Sequence, residues 1–261
     1  MSFPTISLTA NTAMKIHLSL LCLLILAIPL SAGTLVDSLL SGYGEIQSLS
    51  CEVRRDSESG DNKVRTLSRV YFQKPDRLHV ESVAPLSRRI VADGTNFFSY
   101  VAGDPKGFSR PVARLERDML ISLRKVPATA MDHLLRLEGA PETNLPPTAG
   151  FPVRRGYDTG KMTAVLSLDT SNRLACIEFF ADREMTQKTA RTEYSHFSEA
   201  LPGVWLSRLH KTVVWMGGGE SRETSRFDNL SVNKPIAPNL FNASLFFQKV
   251  DFVANIEQMY E

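Results

Sequence analysis

From Ser50 to Val232 the chain alternates between apolar and polar residues over much of its length, with one long interruption in the middle. A period of two marks a strand that buries one face. The first strand starts at Cys51-Glu52-Val53-Arg54. Residues 57–62 are polar and read as a turn, and residues 64–72 then place Val64, Thr66, Ser68, Val70 and Phe72 on one face. Lys74-Pro75-Asp76 turns the chain. Residues 77–83 follow, with Leu78 and Val80 inward and Arg77, His79 and Glu81 outward. Ile90-Val91, an Asp93-Gly94 turn and the aromatic run 97–101 predict a further hairpin, because Asp-Gly supplies the backbone that a tight turn needs. After the interruption, alternation returns over 162–169, 174–180, 186–197, 204–216 and 221–232. Ser171-Asn172, residues 181–184 and Gly217-Gly218-Gly219 separate these runs.

Three stretches carry helical spacing instead. Leu35, Val36, Leu39, Leu40, Tyr43, Ile46 and Leu49 recur on one face, with Thr34 placed to cap and Asp37 near the positive end of the dipole. Gly42 and Gly44 weaken that helix. Leu115, Met119, Leu120, Leu123 and Val126 line one face of a second helix. A third is expected from Ala128 to Leu137, stopped by Gly139. Between Gly139 and Gly156, four prolines predict a loop.

The pattern is that of an α+β chain, mainly antiparallel β, with about ten strands. Its short turns suit direct antiparallel pairing. A sheet that wide has to curl, split or close, and a strongly curved sheet covered by the helices satisfies the counts. Whether its inward residues fill a core or line a cavity stays open, since both need the same side chains.

The N-terminus is read separately. Lys15 and His17 precede an apolar run from Leu18 to Leu30, and Ser31, Ala32 and Gly33 follow. That is the order of a secretory signal peptide over residues 1–33, cut after Ala32, with Met14 as the true start. The run is shorter than the roughly 20 residues that span a bilayer. Cys22 lies inside it, preceded by Leu21, and reads as a signal-core residue. One domain is then expected over 34–261. Its two cysteines, Cys51 and Cys176, either pair as a disulfide or stay as separate buried thiols.

Composition excludes more than it identifies. A formal net charge of +2 on 261 residues gives no pull toward nucleic acid. No phosphate-binding glycine loop, nucleophile elbow or closely spaced cysteine pair is present. His79, His133, His196 and His210 are scattered, and they read as surface or satisfied core. Glu193, Tyr194 and His196 adjoin without a nucleophile. No catalytic residue, metal ligand or cofactor is expected. Aromatic residues fall mainly on the strands.

The order of parts from Val70 to Gly103 resembles the outer-membrane lipoprotein carrier family (LolA-like proteins). The carrying pieces are Lys74-Pro75, Leu78-His79, Ile90-Val91, Asp93-Gly94, Phe97, Phe98 and Tyr100. Phe227 to Ile236, followed by Leu240-Phe241, is similar to the family's closing segment. The resemblance implies an unclosed β-barrel with helices as a lid. It also implies a periplasmic, non-enzymatic, monomeric carrier of acylated lipoproteins or another lipid. Cargo would come from an inner-membrane transporter and go to an outer-membrane acceptor. The cavity wall would comprise Phe72, Leu78, Val80, Phe98 and Tyr100, under a lid of Leu120, Leu123 and Leu134. Lys74, at the mouth, stands where well-studied carriers have arginine, which loses the bidentate geometry. A sensor or scaffold domain of the same fold that binds a protein partner is the alternative.

Overall fold

The alternation is realised as one sheet. A computed structural model describes residues 34–217, 219–255 and 258. The signal-peptide reading, Met14, Cys22 and Gly218 therefore lie outside the described residues. The strands are β1 (Ser48–Ser59), β2 (Asn62–Gln73), β3 (Arg77–Ala84), β4 (Arg88–Asp93), β5 (Asn96–Val101) and β6 (Lys106–Pro111). They continue with β7 (Glu142–Leu145), β8 (Val153–Asp158), β9 (Thr163–Leu168), β10 (Leu174–Phe180) and β11 (Lys188–Leu201). The last three are β12 (Val204–Met216), β13 (Gly219–Val232) and β14 (Asp251–Val253). The spatial order is β14-β6-β5-β4-β3-β2-β1-β13-β12-β11-β10-β9-β8-β7. Neighbours are antiparallel except β14 on β6, which run parallel. β7 and β14 do not pair, so the strongly curved sheet stays unclosed.

The turns form where their chemistry predicts. Asp93 Oδ1 accepts from the amides of Thr95 and Asn96, both at 2.8 Å, while Gly94 takes a φ of +100°. Only a residue without Cβ adopts that angle freely. The stretch read as a polar turn at 57–62 is largely strand, because β1 and β2 run on to a two-residue turn at Gly60-Asp61.

Four strands escape the sequence pattern: β6, β7, β8 and β14. β7 and the start of β8 lie within the proline-rich stretch read as loop. A sheet edge tolerates prolines, which have no amide to donate, and Pro146-Pro147 directly follow the edge strand β7. β14 lies in the C-terminal tail.

The helices are α1 (Leu35–Gly44), α2 (Arg117–Arg124) and α3 (Met131–Leu134). Thr34 and Asp37 form a reciprocal cap on α1. All three helices are shorter than their spacing predicts, and α1 stops at Gly44, which leaves Ile46 beyond it and puts Leu49 on β1. Leu115 is extended after a single 3-10 turn, and Pro127 holds Val126 away from helical geometry. None of the described helices is long and apolar enough to cross a membrane.

All three helices pack on the concave face, in a core that holds Val36, Leu49, Phe72, Leu123, Leu134 and Leu206. Asn233 ties α1 to the sheet. Its Oδ1 accepts from the amides of Gln47 (2.7 Å) and Ser48 (3.2 Å), and its Nδ2 donates to the Glu45 carbonyl at 3.2 Å. At the other end of α1, the Tyr157 hydroxyl donates to Glu142, whose Oε2 also accepts from the Leu35 amide at 2.8 Å.

A second, smaller cluster occupies the convex face. Beyond Pro235 the tail makes two 3-10 turns and lays Phe246, Phe247, Val250 and Phe252 over Val91, Phe98 and Tyr100. Ring centroids of Phe98 lie 6.1 Å from Phe247 and 5.3 Å from Phe252. His79, on the same outward face, is buried beneath Phe246 at 4.7 Å.

Cys51 and Cys176 are both buried and free. β1 and β10 are separated by three intervening strands. At about 4.8 Å per strand, the two lie far beyond the 7 Å limit for a bridge. The disulfide option is therefore excluded by topology, and burial raises both thiols to about 12.

Candidate functional site

Strand register decides what the concave face offers. Directly paired residues share a face, so each row of partners is a rung across the sheet. Leu49, Phe72 and Leu78 form the deepest apolar rung, followed by Cys51, Val70 and Val80. Val53 and Phe227 come next. Then the character changes. The next rung is Tyr194, His210, Ser225, Arg55 and Thr66, and beyond it lie Thr192, Thr212, Glu223 and Ser57. The concave face is thus amphipathic along the strand direction, apolar near α1 and polar toward the far strand ends.

A cavity of about 400 Å³ spans that boundary, roofed by the segment from Ser122 to His133. Its apolar wall is Val53, Val70, Leu78, Val80, Val126 and Phe227. Ligand sites of this size, mostly apolar with a few placed polar groups, are the common kind. Here the polar share is large.

The sequence-named residues divide. Leu78 and Val80 line the cavity. Phe72 does not: it is the direct cross-strand partner of Leu78, yet it is fully buried in the core. Leu123 and Leu134 are also fully buried and hold the roof on the sheet, while Leu120 is half-buried beside them. Phe98 and Tyr100 are on the convex face under the tail, because Phe97 is the residue of that hairpin that points into the main core. Lys74 is not at this mouth either. Its ammonium donates to the Gly44 carbonyl at the end of α1, in a shallow groove with Gln47 and Arg124. Desolvation lowers its pKa. Arg124 in turn grips Asp76 with two hydrogen bonds of 2.6 and 3.2 Å, which fastens α2 to the Lys-Pro-Asp turn.

The polar groups that line the cavity were not singled out from sequence. A change along the inward positions would have found them: Cys51 and Val53 give way to Arg55 and Ser57, and Phe227 is preceded by Ser225 and Glu223. Arg55 Nε lies 3.1 Å from Glu223 Oε1, and Lys125 Nζ lies 3.2 Å from Asp132 Oδ2. The Thr192 and Thr212 hydroxyls are 3.0 Å apart. His210 sits between the rings of Tyr194 (4.7 Å) and Phe227 (4.6 Å).

Burial pushes His210 down to about 4; the Asp132 carboxylate pulls it up and His133 pulls it down. His133 is lowered too, first by burial. An unfolded histidine titrates near 6.5. Between 6.5 and about 4 the unfolded chain therefore binds the proton that folded His210 refuses, and stability falls as pH drops through that window. His210 accounts for up to about 3 kcal/mol of the loss. Chemical denaturation at neutral pH and at about pH 4.5 checks this sign, and a His210→Phe variant should flatten the difference.

No protein-family model and no curated protein matches this sequence. Solved structures do. A LolA superfamily protein from Nitrosomonas europaea superposes with a TM-score of 0.52 at 12% identity, covering 82% of this chain and 100% of its own. The fold is LolA-like. A domain from Vibrio parahaemolyticus, described as an outer membrane lipoprotein-sorting protein, gives 0.51 at 10% identity over 80% and 95% of the two chains. The LolA-like fold accounts for the large unclosed sheet and its few helices. It leaves the occupant of the cavity to be argued from this chain's own residues.

Proposed function

We propose that this protein is a non-enzymatic periplasmic carrier that takes the acyl part of a lipoprotein or a similar amphiphile into the cavity under the α2–α3 segment. The observation that supports this reading is the cavity itself. It lies inside a LolA-like half-barrel and has an apolar wall from four strands and the roof. Each methylene buried there is worth roughly 0.8 kcal/mol, so a chain of a dozen carbons gains enough to leave water but can still be handed on. At about 30 Å³ per water-sized group, 400 Å³ holds one such chain. Transfer from an inner-membrane donor to an outer-membrane acceptor belongs to the same proposal, with the signal peptide supplying the compartment.

Native mass spectrometry of the mature protein, produced from the full precursor and purified from the periplasm, tests the reading. A stoichiometric acylated adduct, identified after lipid extraction, is the expected result. A clean mass that stays unchanged after addition of an acylated peptide would overturn it and favour a protein-binding scaffold.

A further inference from the structure

The convex face carries a second surface, on the opposite side of the sheet from the cavity. An antiparallel sheet with one face on the core commonly turns polar residues to water on the other. The outer face of β1 and β13 does so, with Arg54, Asp56, Arg226 and Asp228. Across β2–β5 the outer rung is instead Tyr71, His79, Val91 and Phe98, beside a rung of Arg69, Glu81, Arg89 and Tyr100. The C-terminal tail covers this row.

How the tail is held decides what else the surface can accept. From 237 to 250 every backbone–backbone hydrogen bond of the tail stays inside the tail. Only 251–253 pair with the sheet, in parallel with β6. Among the described residues 237–253, no polar side chain bonds to the sheet; those of Asn242 and Ser244 bond locally. Beyond them, Arg110 and Lys106 donate to the carbonyls of Ala254 (3.0 Å) and Gln258 (3.2 Å), groups that any peptide offers. Selection therefore falls to the rings. Phe246 lies 4.7 Å from the His79 ring and 4.7 Å from the Arg89 guanidinium. Phe247 lies 6.4 Å from Tyr100, and Phe252 stands over Gly107, 5.3 Å from Phe98. The lead into the tail, Lys234–Ala237, has no regular structure and is exposed over most of its length.

We propose that the outer face of β3–β6 is a docking site for an extended, aromatic-bearing segment of a partner protein, and that the tail fills it in cis until such a segment displaces it. The mode is strand addition at the β6 edge: backbone pairing gives affinity and side-chain sockets give specificity. The tethered tail competes at an effective concentration on the order of 1 mM, so a partner needs rings at the same spacing to enter. The site is independent of the carrier reading.

A specific protease site inserted between Ile236 and Ala237 of the full precursor allows the tail to be cut after the mature protein has folded. The probe is a fluorescein-labelled synthetic peptide of residues 237–255, read by anisotropy. With the tether gone, a peptide that binds at about 10 μM should bind about a hundredfold more tightly than to the uncut protein. A peptide of unrelated sequence that keeps phenylalanine at the 246, 247 and 252 positions should bind within about tenfold of it. The tail peptide carrying Phe246→Ala, Phe247→Ala and Phe252→Ala should not bind. Circular dichroism checks the fold of the cut protein. Loss of the fold on cutting, or a cut tail that neither leaves nor exchanges, makes the tail part of the core and overturns the proposal. Binding of the tail peptide but not of the ring-matched one overturns the partner, and dimers of uncut protein that exchange tails name a second copy as the occupant instead.

Discussion

Val80→Trp is expected to abolish acyl-chain binding in a protein that remains folded. Val80 sits in the middle of β3, opposite Val70 and Ile90, and its side chain is half-buried at the cavity wall. An indole at that point projects into the cavity rather than into packed core, so it finds room without displacing a neighbour. It occupies space a chain would otherwise take. Excluding about four methylenes costs roughly 3 kcal/mol, or about a hundredfold in affinity. Titration with a fluorescent fatty-acyl probe reads the loss, and thermal melting confirms the fold. Undiminished binding would place the chain elsewhere. Leu123→Glu is not an equivalent experiment. Leu123 is 1% exposed and packed in the core, and a carboxylate there unfolds the protein before it reports on any ligand.

Phe247→Ala and Phe98→Ala are expected to destabilise the protein by about 3 kcal/mol each without weakening acyl-chain binding. The two rings belong to one convex-face cluster that also holds Tyr100 and Phe252. Removing either leaves a void between the tail and β4–β5. Gly107 shows how closely the tail lies. A Cβ built there would stand 2.6 Å from the Phe252 ring, so β6 accepts the tail only because that position has no side chain. Denaturant melts measure the stability loss, and hydrogen exchange should report the tail at 237–253 opening first. Weakened acyl-chain binding by the Phe98 variant, at full stability, would return Phe98 to the cavity wall that the resemblance implies.

The two variants mark where the sequence was legible. Period-two alternation located ten strands, and the Asp93-Gly94 turn formed for the stated reason: an Asp carboxylate bonding two amides beside a glycine at positive φ. Alternation also assigned Leu78 and Val80 to the inner face correctly. It could not say which of two adjacent aromatics, Phe97 or Phe98, pointed inward, because both faces of β5 are covered and both are apolar. The tail that covers the outer face comes from residues far along the chain. Nothing in the local pattern announces it.

Lys74 illustrates a second limit. The resemblance places a cation beside the proline turn, and the cation is there. Its partner is the carbonyl end of α1, a contact fixed by how α1 docks and invisible in the run Gln73-Lys74-Pro75. The histidines illustrate a third. Scattered along the chain, His133 and His210 carry no motif. Curvature of the sheet and the roof bring them to one cavity.

By itself the sequence determined the strand periodicity, most turn positions, a capped first helix and the switch from apolar to polar inward residues along β1 and β13. These are local consequences of side-chain pattern and backbone preference. The tertiary structure alone decided that Cys51 and Cys176 stand apart and that Phe98 and Tyr100 serve the tail. It also decided that the charges of Arg55 and Lys125 are matched within the cavity. The reason is physical: pairing order and curvature arise from contacts between segments far apart in the chain, such as Asn233 with Gln47, 186 residues away, which the local pattern leaves unspecified.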